Sequence, residues 1–211
     1  MCIISIKNQR MIKMNVTVCG VVSKAAVCRT NKEGKPFVAM SINLVIPAKS
    51  GINKTIEVSV IKDGTLMESG NCRVGDRIEV TGVLTPKKRG ETIYFNMVAT
   101  GINFAPTTEK DGITGEMEFR GKVGKSIDEK KDKNGKTYFL FNAFSAEKVE
   151  DGFEYLWVRF LMFDQPRETW LQPGVKVYAK GKMELSAYND KIDFTCRPTE
   201  TSLYVPQPSN G

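Results

Sequence analysis

Apolar and polar residues alternate along ten stretches of this chain, and the stretches fall into two sets of five. In the first set, Val16, Val18, Gly20 and Val22 alternate, then Val38, Met40, Ile42 and Leu44, then Ile56, Val58 and Val60. Ile78 and Val80 follow a Gly turn, and Ile93, Phe95 and Met97 close the set. The second set runs Met117, Phe119, Gly121, Val123; Phe139, Phe141, Ala143; Leu156, Val158, Phe160, Met162; Val177, Ala179; and Ile192, Phe194, Cys196. A period of two predicts half-buried strands. The one helical candidate lies between third and fourth strands; in the second set it is Pro166 to Leu171, stopped by Gln-Pro-Gly.

The two sets are copies of one another. GVVSKAAVCRTNKEGK begins at Gly20 and GKVGKSIDEKKDKNGK at Gly121, an offset of 101 residues. VGDRIEVTG from Val74 answers PGVKVYAKG from Pro173, at an offset of 99. A repeat this long means two whole domains, since solenoid units are far shorter. Five strands with a small helix between the third and fourth is the order of an OB barrel. The expected fold is therefore all-β: two tandem OB-fold, five-stranded Greek-key barrels. The expected bounds are an N-terminal extension over residues 1–15, a first barrel over 16–104 and a linker over 105–116. A second barrel follows over 117–205, and a disordered tail over 206–211. The linker, APTTEKDGITGE, is polar, contains Pro and Gly, and has no periodicity.

Composition narrows the function classes. The net charge of +7 favours an acidic partner such as nucleic acid, or serves solubility alone. The chain has no histidine, which removes the commonest general base and metal ligand. Its five cysteines are odd in number, and none stands at C-x-x-C spacing. Neither a zinc site nor a disulfide frame is indicated, and reduced thiols in a cytoplasmic protein are the simple expectation. No apolar run is long enough for a membrane span. No nucleotide loop, metal constellation or base–nucleophile pair is visible, so an enzyme, a metal and a cofactor are not expected.

The second copy, from about Met117 to Tyr204, resembles the bacterial and phage single-stranded DNA-binding (SSB) proteins. That family opens with a strand ending in G-N-L-G, followed by an N-G turn, and Gly121-Lys-Val-Gly124 and Asn134-Gly135 stand at that spacing. Its third strand carries Trp, one residue, then Arg, with a Phe further on, as Trp157-Val158-Arg159 and Phe163 do here. Its fourth strand is matched by Pro173 to Gly181, with the following aromatic at Tyr188. Val149 stands where the family has an aromatic, and the family's acidic C-terminal tip has no counterpart. The resemblance implies sequence-independent binding of single-stranded DNA in replication, recombination or repair. It also implies a homodimer, because the family usually assembles four OB domains. Single-stranded RNA is a further candidate partner.

An exposed aromatic stacks on any base, worth ~1–3 kcal/mol per base, and neighbouring cations neutralise phosphates. Parity places Trp157, Arg159 and Phe163 opposite the core face of their strand. Tyr138 and Phe144 join them from strand two, and Tyr188 and Lys191 from the fourth-to-fifth-strand hairpin. Lys122, Lys125 and Lys136 belong to a lysine-rich hairpin in which acidic residues are few. Trp170 lies in the helical candidate and is expected to plug the barrel bottom. The first copy has Glu57 for Trp157, Ser59 for Arg159 and Arg89 for Tyr188. Its candidate contacts are Lys35, Phe37, Lys87, Lys88, Arg89 and Tyr94. The competing expectation is an OB-fold interaction module that docks a protein partner or a structured RNA, with Trp157 and Phe163 in an interface.

Overall fold

The computed structural model describes residues 11–49, 51–70, 72–163 and 166–205. The expectations for residues 1–10 and for the tail 206–211 lie outside the described residues. The first copy contains β1 (Ile12–Thr30), β2 (Pro36–Ile46), β3 (Lys54–Asp63), α1 (Leu66–Ser69), β4 (Arg77–Arg89) and β5 (Thr92–Asn103). The second contains β6 (Gly112–Lys131), β7 (Thr137–Val149), β8 (Gly152–Phe163), β9 (Lys176–Tyr188) and β10 (Lys191–Leu203).

Each copy closes in the same order. β1 pairs with β4 through Met14–Val21 and with β2 through Val21–Thr30. β3 pairs antiparallel with β2 and parallel with β5, and β5 returns to β4. The ring β1–β2–β3–β5–β4 is the OB-fold order. β6, β7, β8, β10 and β9 repeat it. Glycine is required where the first strand of each copy turns from one partner to the other. A Cβ on Gly20 would strike the Asn43 carbonyl, and one on Gly121 the Phe144 carbonyl. The first hairpin of each copy is pinned by one side chain. Asn31 Oδ1 accepts from the Glu33 and Lys35 amides, and Asp132 Oδ1 from those of Asn134 and Lys136.

The helical expectation for the second copy is corrected. Residues 166–171 are irregular apart from one turn at 169–170, where the Leu171 amide donates to the Glu168 carbonyl at 3.0 Å. Six residues before Gln-Pro-Gly are too few to offset helix nucleation. Tertiary packing orders them instead: Leu171 is fully buried and Trp170 packs, half-buried, against the core. The four-residue α1 in the first copy is the one helix among the described residues.

The two barrels are joined by β1 and β6, which pair antiparallel from Ile12↔Phe119 to Cys19↔Gly112. At the repeat offset, Ile12 corresponds to Ile113 and Val18 to Phe119. The pair Val18↔Ile113 is therefore the same contact seen from the other copy. Asn15 and Glu116 correspond and face each other, so an internal two-fold passes between them. This pairing is why β1 begins at Ile12 and β6 at Gly112, each several residues before the first barrel position that its periodicity marks. The buried apolar residues of both barrels form one cluster, and the corresponding Phe95 and Phe194 stack across the two-fold at 6.2 Å. Asp111, just before β6, fixes the crossing: it accepts from Arg77 Nη1 at 2.7 Å and from the Val45 amide at 2.8 Å.

Candidate nucleic-acid interface

Alternation along β8 builds the candidate site. Leu156, Val158, Phe160 and Met162 are buried, so Phe153, Tyr155, Trp157 and Arg159 point outward and are exposed. Trp157 is 52% exposed. β7 runs antiparallel beside β8 and sets Phe144 opposite Trp157, Asn142 opposite Arg159 and Tyr138 opposite Phe163. The Phe144 ring lies 4.9 Å from Trp157 and meets Tyr155 edge-on at 5.5 Å. Beside β7 on β6, Gly124 approaches both strands: a Cβ there would sit 2.9 Å from the Asn142 carbonyl oxygen and 3.4 Å from Trp157 Cζ3. At the far end of β8, Phe163 stacks on Tyr138 at 4.7 Å, and the Arg197 guanidinium lies 5.8 Å from the Phe163 ring centre.

The first copy carries a different solution at the same positions. Glu57, the counterpart of Trp157, accepts from Lys24 Nζ at 2.8 Å and from Ser23 Oγ at 3.3 Å. The counterpart of Lys24 is Lys125. With Trp157 in place of the carboxylate, Lys125 has no ion pair among the described residues and is exposed. Where the first copy has a paired carboxylate, the second thus has a half-exposed indole and an exposed lysine. The Arg159 side chain likewise forms no ion pair or hydrogen bond among the described residues.

Other candidate residues are placed in several ways. Lys122 is exposed on β6 beside Phe144, and Lys136 is exposed in the β6–β7 turn. Tyr188 is 49% exposed at the end of β9. Lys88, Arg89 and Lys191, candidate contacts in the sequence, form ion pairs between the barrels. Lys88 reaches Glu154 at 3.8 Å, Arg89 reaches Glu147 at 3.2 Å, and Lys191 reaches Glu91 at 3.2 Å. The two-fold brings each β4–β5-type hairpin onto the opposite barrel, a contact that sequence within one copy does not encode. Lys87 is exposed on the same hairpin. Lys35 pairs locally with Glu33, and Phe37 is half-buried at the start of β2. Tyr94 is exposed and faces the second barrel across a cleft. Tyr155 and Phe153 were missed in the sequence. Extending the period of β8 back two steps from Trp157 finds both.

The fold and the aromatic face define the class: a tandem OB-fold protein with one open aromatic strand face. No family model matches the sequence, and no curated protein does. Among solved structures, the chain is similar to the wild-type single-stranded DNA binding protein from Thermus aquaticus, at 14% identity. That match covers 94% of this chain and 96% of that one, with a TM-score of 0.46. The mitochondrial single-stranded DNA binding protein Rim1 from S. cerevisiae is similar at 17% identity, over 43% of this chain and 93% of that one, with a TM-score of 0.35. Plasmodium falciparum SSB in complex with single-stranded DNA is similar at 20% identity, over 42% and 91%, with a TM-score of 0.33.

Proposed function

We propose that the chain binds single-stranded DNA through the outer face of β7 and β8 and acts by sequestration, without covalent chemistry. The observation that carries this reading is the exchange at one position of the repeat. Glu57 is neutralised by Lys24, whereas Trp157 stands half open beside Phe144 and Tyr155, with the exposed Lys122 opposite Phe144 on β6. Exposed rings flanked by cations fit stacked bases and their phosphates, and the stacking is indifferent to sequence. Such binding suits the handling of single strands in replication, recombination or repair. Titration of the intrinsic Trp fluorescence with dT oligomers at two salt concentrations tests it. Saturable quenching that weakens with salt is expected. Quenching by duplex DNA alone, or none at all, would contradict it.

Two chains are proposed to pair, giving four barrels. The support is a shallow depression of about 450 Å³ on the outer sheet face at the internal two-fold. It is lined by short, uncharged side chains, among them Asn15, Thr17, Thr81, Val83, Thr100 and Thr114. Light scattering at micromolar protein should give twice the chain mass. A strictly monomeric mass would refute the pairing.

A further inference from the structure

Between the barrels lies a cleft of about 650 Å³, within the ~300–1,000 Å³ usual for ligand sites. Its aromatic walls come from different barrels: Tyr94 from β5 on one side, Tyr155 and Trp157 from β8 on the other. Tyr94 is 54% exposed and Tyr155 44%. The stacked, buried pair Phe95 and Phe194 also lines it.

The charges in this cleft argue against a phosphate. Positive and negative side chains lining it are equal in number. Most are already satisfied: Lys54 pairs with Asp190 at 2.9 Å, Lys191 with Glu91 at 3.2 Å and Lys88 with Glu154 at 3.8 Å. Glu57 is held by Lys24 from outside the cleft. A phosphate entering here would meet carboxylates on both walls, and like charges repel at such range. A neutral, planar, hydrogen-bonding group would not. Arg159 and Asp193 are the lining charges without a partner among the described residues. Arg159 offers donors and Asp193 acceptors, the complement of a base edge.

We propose that this inter-barrel cleft is a nucleobase pocket that takes an unstacked base of the bound strand. Tyr94 forms its first-barrel wall, Trp157 and Tyr155 its second, and Arg159 and Asp193 meet the base edge. This rests on the reading of the second barrel's outer face as the strand-binding surface. It gives the first barrel, which lacks an aromatic strand face, a direct part in binding. The phosphates stay outside the cleft, toward Lys122 and Lys125.

The test compares dT oligomers with uniformly abasic oligomers of the same length and backbone, on the full chain. Tyr94→Ala should weaken dT binding by about 5- to 150-fold, the range of one stacked base, and leave abasic binding unchanged. Tyr94→Phe, which keeps the ring, should retain dT affinity. Thermal melting shows whether each variant is folded, and an exposed tyrosine should be dispensable for that. If Trp157→Ala weakens dT binding and Tyr94→Ala does not, the pocket is refuted while the strand-binding face stands. If neither variant weakens it, both readings fall. If Tyr94→Ala weakens dT and abasic binding equally, Tyr94 touches backbone and the base pocket is wrong.

Discussion

Replacing Trp157 by Ala removes the largest side chain on the outer face of β8 and leaves the core residues on either side of it in place. About half of the indole is open. Taking ~250 Å² for a tryptophan, the open half is ~120 Å², which at ~25 cal/mol/Å² sets a ceiling of about 3 kcal/mol. Base–aromatic stacking spans ~1–3 kcal/mol, so the loss in affinity should be ~5- to 150-fold. The covered half rests on Phe144 and over Gly124. Losing that ring pair should cost ~1 kcal/mol of stability, a few degrees in melting temperature. Fluorescence anisotropy with a labelled dT oligomer reads the affinity, and thermal denaturation reads the stability. Ile61→Ala, an exposed apolar truncation on the outer face of β3, serves as control and should leave affinity unchanged. A folded Trp157→Ala variant with undiminished DNA affinity would refute the stacking argument. Dissociation of a dimer with affinity preserved would make this face a protein interface.

Charge reversal at Lys122 or Lys125 should flatten the slope of log affinity against log salt by ~0.7 for each phosphate that is no longer neutralised. Reversal at Lys88 or Arg89, which are engaged with Glu154 and Glu147, should change the slope less and lower the melting temperature. The opposite ranking would place the phosphates on the first barrel. Gly124→Val should weaken DNA binding, because its side chain would press on the Trp157 ring and the Asn142 carbonyl. Binding at full strength would mean that the ring position is unimportant. The pKa of the Cys196 thiol is pushed up to about 12, chiefly by burial and further by nearby Glu116. It stays protonated and shielded at pH 8, so native alkylation followed by mass spectrometry should label exposed Cys28 and spare Cys196 until the chain is unfolded. Rapid labelling of Cys196 would contradict its place in the core.

The barrels were legible because their signal is local. The period of two in β8 places Leu156, Val158 and Phe160 inside and Trp157 and Arg159 outside, and the structure keeps that parity. The repeat shows in the structure at one turn, which Asn31 caps in the first copy and Asp132 in the second. What the sequence concealed lies between copies. Ile12 to Asn15 and Gly112 to Glu116 look like extension and linker because they are short and partly polar, yet the first pairs as strand with Glu116 to Phe119 and the second with Asn15 to Cys19. Lys88, Arg89 and Lys191 look like free cations because their carboxylates come from the other barrel. Tyr94 and Trp157, far apart in sequence, share one cleft for the same reason. The helical expectation at Pro166 to Leu171 failed through a tertiary override: burial of Leu171 orders the segment without helical hydrogen bonding.

The central claim is that bases of a single strand lie on the outer face of β7 and β8. Photocrosslinking of the full chain to dT oligomers carrying 5-iodo-deoxyuridine, with the adducts mapped by mass spectrometry, tests it most directly. Adducts should concentrate on Trp157, Phe144, Tyr155 and Tyr188 of the second barrel and disappear with unlabelled competitor. Adducts confined to β1, β4 and the outer face of the first barrel, with Trp157 unmodified, would contradict it.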